Sequence, residues 1–229
     1  MSTTTTYTLH AAPGNFRAFK ALIAAEYTST SVTVAEFDAA TIKSLSPTGK
    51  APILEVSSSS SSSSSGGTGT GTTSTIFGSN AIARHLARLR RDSGLMGSNL
   101  EEEAEVDAWV EFASQDVELP ATVWVYPVCG YMPFNDAAYA KAKKDLAAAL
   151  TILDKQLSDK KYLVGERITL ADIAVVSALI YPMKLVCDAK YLKPYGNIVR
   201  WFTDCVGQAE FKAVIGDVVM CKKEIPAKQ

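Results

Sequence analysis

The sequence predicts an α+β chain of two domains, a half of order β-α-β-α-β-β-α followed by an all-helical half. Three observations predict this. From Tyr7 to Phe77, short runs with an apolar period of two are interleaved with segments of helical spacing. Beyond Gly94–Asn99 almost every apolar pattern has a period of 3.6, and no strand signal recurs. Between two strand-like runs stand nine consecutive serines, Ser57 to Ser65, and then glycines and threonines, which mark a polar connection.

Each element has a local reason. Tyr7 to His10 alternate as a first strand, and Phe19, Leu22, Ile23 and Tyr27 then recur at helical spacing between Arg17 and Tyr27. A strand returns at Val32 to Val34, and Phe37 to Leu45 forms a short irregular helix. Pro52 opens the next strand, where its missing N–H costs nothing. Ser57 to Ser74 lacks the apolar groups that would offset its ordering entropy, so it reads as a disordered hairpin tip; lengthening such a loop costs only about 0.6 kcal/mol per doubling. Ile76 and Phe77 end the fourth strand, Ser79 is a good N-cap, and a helix runs from there to about Arg91. The first domain is therefore expected at residues 1–93, with 57–74 as its disordered insert, and the helical domain at 98–229.

In the helical half, Val106, Trp109, Val110, Ala113 and Val117 form one stripe, and Leu146, Leu150, Leu153 and Leu157 another. Thr169-Leu170-Ala171-Asp172 is a capping-box variant, with Ile168 and Ile173 as its hydrophobic staple. It opens an apolar run, Ile173 to Met183, which is too short for the ~20 residues of a membrane span and is expected as a core helix.

Composition narrows the function. The chain has 229 residues, 47% hydrophobic and 21% charged, with a net charge of -1, so it has no general attraction to phosphate backbones or anionic membranes. Direct nucleic-acid or membrane binding is not expected. Cys129, Cys187, Cys205 and Cys221 form no CxxC pair, and His10 and His85 are the only histidines, so no metal site is expected. Four free cysteines and a start without a basic, apolar leader point to the cytoplasm. The glycines from Gly66 to Gly71 have no Lys and no helix after them, so they are not a phosphate-binding loop.

One arrangement points to a ligand. The residue before a proline is held extended, so Ala51 could offer its N–H and C=O to a peptide-like ligand whose carboxylate reaches the helix N-terminus near Ser79. These two segments, Gly49 to Leu54 and Phe77 to Ile82, resemble the glutathione transferase family, whose first domain is thioredoxin-like. Leu163 to Arg167 with the Thr169 cap extends that resemblance to the second half. It implies a cis bond before Pro52, pairing of Ala51 with the cysteinyl backbone of glutathione, and the γ-glutamyl carboxylate at Ser79 and Asn80. Lys50 is implied as a contact to the glycyl carboxylate, and reads equally as a solvated lysine.

Asn15 to Ala25, Ser79 to Ala83, Trp124 to Pro127, Asn197 to Phe202 and Phe211 to Val214 are more specifically similar to the gamma-subunit family of translation elongation factor 1. This resemblance covers nearly the whole chain. It implies a non-catalytic scaffold in the elongation factor 1 complex, bound to a beta-type exchange subunit and through it to elongation factor 1 alpha. It also implies that a linker and a further domain would follow in the full protein. An active glutathione transferase, conjugating small electrophiles, is the alternative.

Transfer chemistry requires the glutathione thiol as a thiolate, and lowering its pKa from ~8.5 to ~6.5 takes about 2.7 kcal/mol. Ala11, Ala12, Pro13, Gly14 and Asn15 stand where transferases place their hydroxyl or thiol. Asn15 is the one candidate donor and reads also as the N-cap of the first helix. Gly78 replaces a side chain that would receive the γ-glutamyl ammonium, and losing such a bond costs ~1.5–3 kcal/mol. Weak glutathione binding and little or no turnover are expected. Arg84, Arg88 and Arg91 recur at i, i+4, i+7, and Glu101, Glu102 and Glu105 open the next helix. Transferase-like folds dimerise through these helices, which implies a homodimer with cross-subunit arginine–glutamate pairs.

Overall fold

A computed structural model describes residues 3–60 and 72–228 of the chain. Two compact units emerge, Met1–Arg90 and Arg91–Gln229.

The first unit is built on a four-stranded sheet. Its elements are β1 (Thr3–His10), α1 (Phe16–Tyr27), β2 (Val32–Ala35), α2 (Ala39–Leu45), β3 (Ile53–Ser60), β4 (Thr72–Phe77) and α3 (Ser79–Arg88). The strand order is β2-β1-β3-β4. β1 runs parallel to β2 and antiparallel to β3, with Leu9 opposite Leu54, and β4 pairs antiparallel to β3 with Ile53 opposite Phe77. Leu9 and Leu54 are fully buried, as are Ile82 and Leu86 of α3. Tyr7 lies on the same face of β1 as Leu9, and its ring is 6.0 Å from that of His85 on α3.

Two expectations need correction here. The serine tract is not disordered from its first residue. Ser57 to Ser60 continue β3 and Thr72 to Ser74 belong to β4, while 61–71 lie outside the described residues. The partner for the serines is the threonine run of β1, which pairs with them through Thr3 and Ser60, and Ser57 and Thr73 add a hydroxyl contact of 3.1 Å. Hydroxyl-bearing Thr favours a strand without being apolar. The buried face of α1 is also not the aromatic stripe. Ala18, Lys20, Ala21, Ile23, Ala24 and Ala25 are buried, whereas Phe19, Leu22 and Tyr27 are half-buried, because α1 packs closely on α3 and small side chains allow that approach.

The second unit contains α4 (Leu100–Phe112), a π-helical segment (Ala113–Glu118), α5 (Leu119–Cys129), α6 (Asp136–Gln156), α7 (Leu170–Leu185), α8 (Ala189–Leu192), α9 (Gly196–Val206) and α10 (Ala209–Ile215). α7 is its axis: every residue from Leu170 to Ile180 is buried, against α4, the π segment, α5 and α9. The expected leucines of α6 are fully buried with it. Among the described residues no helix is long and apolar enough to cross a membrane.

The α7 cap is larger than the sequence motif. Thr169 and Asp172 form the box, and Asp172 Oδ2 accepts the Thr169 N–H at 3.0 Å and its hydroxyl at 3.1 Å. Oδ1 accepts the Leu163 N–H at 3.0 Å and the Trp201 indole N–H at 2.8 Å. Burial raises the Asp172 carboxyl above its ordinary pKa, and these four donors act against that rise. One side chain thereby fastens the loop before α7 and the core of α9.

After α10 the chain crosses back as a strap, residues 216–228, without regular structure. Cys221 and Ile225 donate backbone N–H groups to Met183 and Leu185 of α7, and Lys228 donates to Pro127 of α5. Glu224 is its polar anchor. Its carboxylate accepts from the Trp124 indole (3.1 Å), the Tyr139 hydroxyl (2.8 Å) and the Lys143 ammonium (2.7 Å), and that ammonium lies 4.9 Å from the Trp124 ring centroid.

Candidate functional site

The ligand cradle expected from the sequence lies wholly in the first unit. The Ala51–Pro52 peptide bond is cis, Pro52 is buried, and Ala51 sits half-buried two residues before the pairing of β3 with β1 and β4 begins. Lys50 is exposed on the preceding turn. Opposite this end of β3, Phe77 leads through Gly78 into α3.

Ser79 is not the N-cap. Gly78 occupies that position at φ +85°, and Ser79 is the first residue of the helix. No atom crowds a Cβ there, so it is the left-handed backbone, open to glycine at little cost, that selects this residue. The first intrahelical bond runs from Ile82 N–H to Gly78 C=O, so the N–H groups of Ser79, Asn80 and Ala81 precede the ladder and face the helix entrance. Such a terminus favours a carboxylate.

Sequence reasoning missed the residue beneath it. Lys20 of α1 is only 2% exposed, and its ammonium donates to Asn80 Oδ1 at 2.7 Å. The side-chain oxygen of Asn80 thus faces α1, and a buried positive charge stands under the first turn of α3, where it adds to the helix dipole in favouring an anion. The signal was present in the sequence: Lys20 falls three and four residues before Ile23 and Ala24 on the packed face of α1.

The chemistry at the end of β1 differs from the cradle. Ala11 is buried, and Asn15 caps α1, its Oδ1 accepting the Arg17 N–H at 3.0 Å. Tyr7 lies three residues inside β1, paired with Val32 and Val56. His10, which adjoins the loop, makes a 2.8 Å bond from Nε2 to Glu55 across the β1–β3 pair. The residues present fit the backbone and carboxylate of a glutathione-like peptide. They supply no hydroxyl or thiol between Ala11 and Asn15 to hold its sulfur as a thiolate.

The charged stripe is shorter than expected. α3 ends at Arg88, and Arg91 begins a separate 3₁₀ turn, Arg91–Ser93, so only Arg84 and Arg88 share a helical face. Glu102 also has an intrachain task. Asn99 caps the Glu102 N–H at 2.8 Å while Glu102 Oε2 accepts the N–H (2.8 Å) and hydroxyl (2.6 Å) of Ser98. These bonds hold the Glu102 carboxyl below its ordinary pKa. Gly97, at φ +85°, leaves room for this turn, since a Cβ there would meet that of Glu102 at 2.6 Å. Glu105 lies 4.0 Å from Lys160, and Glu101 is exposed.

Known proteins share this architecture. Residues 118–209 match the family described as glutathione S-transferase, C-terminal domain. Elongation factor 1-gamma from Artemia salina is 40% identical over 223 residues, and that from Carassius auratus 37% over 216 residues; each alignment covers 94% of this chain and 47% of the relative. The chain therefore spans about half the length of the curated relatives it matches. Among solved structures, the GST-like domain of elongation factor 1-gamma from Saccharomyces cerevisiae superimposes with a TM-score of 0.77 at 21% identity, covering 98% of this chain and 99% of that one. Poplar glutathione transferase F1 gives a TM-score of 0.73 at 20% identity, covering 92% and 96%. At such identities these structures support the fold alone.

Proposed function

This chain belongs to the elongation factor 1-gamma family, whose glutathione transferase-like region it matches, and we propose that it acts as a non-catalytic scaffold in the elongation factor 1 complex, in the cytoplasm. The partner is a beta-type exchange subunit and, through it, elongation factor 1 alpha. The observation that carries the non-catalytic part is the end of β1, where Asn15 is taken up as the cap of α1 and no residue from Ala11 to Asn15 bears a hydroxyl or thiol. Glutathione binds weakly in this reading, through Ala51, the entrance of α3 at Ser79 and Asn80, and Lys50. It is a ligand and not a substrate.

Immobilised chain mixed with purified beta-type subunit tests the scaffold. Retention of that subunit, and of elongation factor 1 alpha only when it is present, is the expected result; elution of both in the flow-through contradicts it.

The chain forms a homodimer in which Arg84 and Arg88 of one subunit face Glu101 and Glu105 of the other. Exposed ion pairs are individually worth only about 0.2–1 kcal/mol, so the contact needs several of them together with apolar burial. Reversing both charges, Arg84→Glu with Arg88→Glu, is expected to halve the mass measured by light scattering. An unchanged dimer mass rules this arrangement out.

A further inference from the structure

The strap meets the end of α7 at a pair of cysteines. Pro182 lies inside α7, and its carbonyl accepts both the Val186 N–H (3.0 Å) and the Cys187 N–H (2.8 Å), the second bond spanning five residues instead of four. A regular turn would give the Cys187 N–H to the Met183 carbonyl. That carbonyl instead accepts the Cys221 N–H of the strap at 2.7 Å. The backbones of Cys187 and Cys221 are therefore neighbours, bonded to two consecutive carbonyls of one helix. The Cys187 side chain is fully buried, whereas Cys221 is half-buried and its thiol donates to the Lys223 carbonyl at 2.9 Å. Cys221 and Glu224 of the strap, Asp188 at the start of α8 and Lys143 of α6 are the charged and titratable groups that act on the Cys187 thiol, so that thiol faces the strap. Cys129 faces Lys228, and Cys205 faces Asp172 and Asp204.

We propose that Cys187 and Cys221 form a reversible disulfide that fastens the strap to α7, with glutathione disulfide as the oxidant. Cys221 is the accessible thiol. As the thiolate it attacks one sulfur of the oxidant, whose S–S bond breaks, leaving a mixed disulfide on Cys221 and releasing one glutathione. Cys187 then attacks Cys221 Sγ as the thiolate and displaces the second glutathione. Two protein thiols are oxidised, one glutathione disulfide is reduced, and the two thiol protons end on the two released glutathiones. Burial and the neighbouring Cys221 raise the Cys187 thiol, and burial raises that of Cys221, so the bridge forms slowly and answers sustained oxidation. In the mixed disulfide Cys221 can no longer ionise, while Lys143 still favours the Cys187 thiolate. The strap, lacking regular structure, can shift to the Cα separation of about 4.4–6.8 Å that a bridge requires. The inference stands apart from the scaffold reading and from the cradle.

The test incubates the intact chain with oxidising glutathione buffer, blocks the remaining thiols, and maps unreduced proteolytic fragments by mass spectrometry. A Cys187–Cys221 cross-link is the expected product, and dithiothreitol reverses it. Cys221→Ser abolishes the link, and Cys187→Ser stops the reaction at a glutathione adduct on Cys221. Amide exchange at Ile225, which bonds to the Leu185 carbonyl, reads the consequence. It is expected to slow about tenfold or more on oxidation of the wild-type chain and to ignore oxidation in Cys221→Ser. Glu224→Gln, which frees the strap in the reduced chain, loses that effect once the bridge has formed. Glutathione adducts without a link between residues 187 and 221, or a link from Cys221 to a different cysteine, overturn the inference. So does a correct link that leaves Ile225 exchange unchanged.

Discussion

Replacing Asp172 by alanine is expected to cost about 3–5 kcal/mol, because it leaves three buried N–H donors, those of Leu163, Thr169 and the Trp201 indole, without their acceptor. At about 2–4 °C per kcal/mol for a protein of this size, the melting temperature falls by roughly 10 °C. Asp172→Asn keeps one oxygen but turns an NH2 toward donors, so it recovers only part of the loss. Thr169→Ala removes one cap hydroxyl and costs about 1 kcal/mol. That ordering, alanine worst, asparagine between and Thr169→Ala least, separates a buried hub from an ordinary helix cap. Thermal melts of the three variants check it, and equal effects of Asp172→Ala and Thr169→Ala contradict the hub.

The second large effect is at the strap. Glu224→Gln removes the charge that Lys143 faces and is expected to cost about 2–3 kcal/mol, less than Asp172 because the site is partly open to water. The loss is local. Amide exchange at Cys221 and Ile225, whose N–H groups bond to α7, accelerates before exchange in α7 does, and Trp124 fluorescence shifts as its indole loses its acceptor. The pH dependence has two limbs. Burial raises the Glu224 carboxyl, but the bonds from Lys143, Tyr139 and Trp124 prevail and hold it below its ordinary value. A depressed acid contributes stability that is present above the unfolded pKa and lost as pH falls through the folded one, so the strap loosens in acid. Burial, and then the bond to Glu224, push Tyr139 up to about 12. Its contribution is complete below the unfolded value of 10.0 and is lost as pH rises toward 12. Protection of the strap amides, taken relative to their intrinsic exchange rates at each pH, is therefore greatest between these limits, and protection that ignores pH on both sides contradicts the clamp.

What the sequence could reveal depended on the range of the interaction. The leucines of α6 and the Thr169–Asp172 box were legible because their logic lies within one helical turn or one heptad. The partners of Asp172 at Leu163 and Trp201 were not, since they lie 9 and 29 residues away and are set by packing. Lys20 escaped for a related reason: a lysine at helical spacing reads as solvated until α3 is known to cover it. Ser57 to Ser60 were misassigned because a strand can borrow stability from its neighbour, here the threonines of β1, without apolar residues of its own. The cis bond before Pro52 came from resemblance to a family.

The account turns on a cradle retained without the group that ionises a thiol, and turnover of chloro-dinitrobenzene with saturating glutathione, beside a calorimetric titration of glutathione, tests it most directly. Binding weaker than micromolar and a rate equal to the buffer background are the predicted results. Robust conjugation by the purified chain, or micromolar affinity, contradicts it.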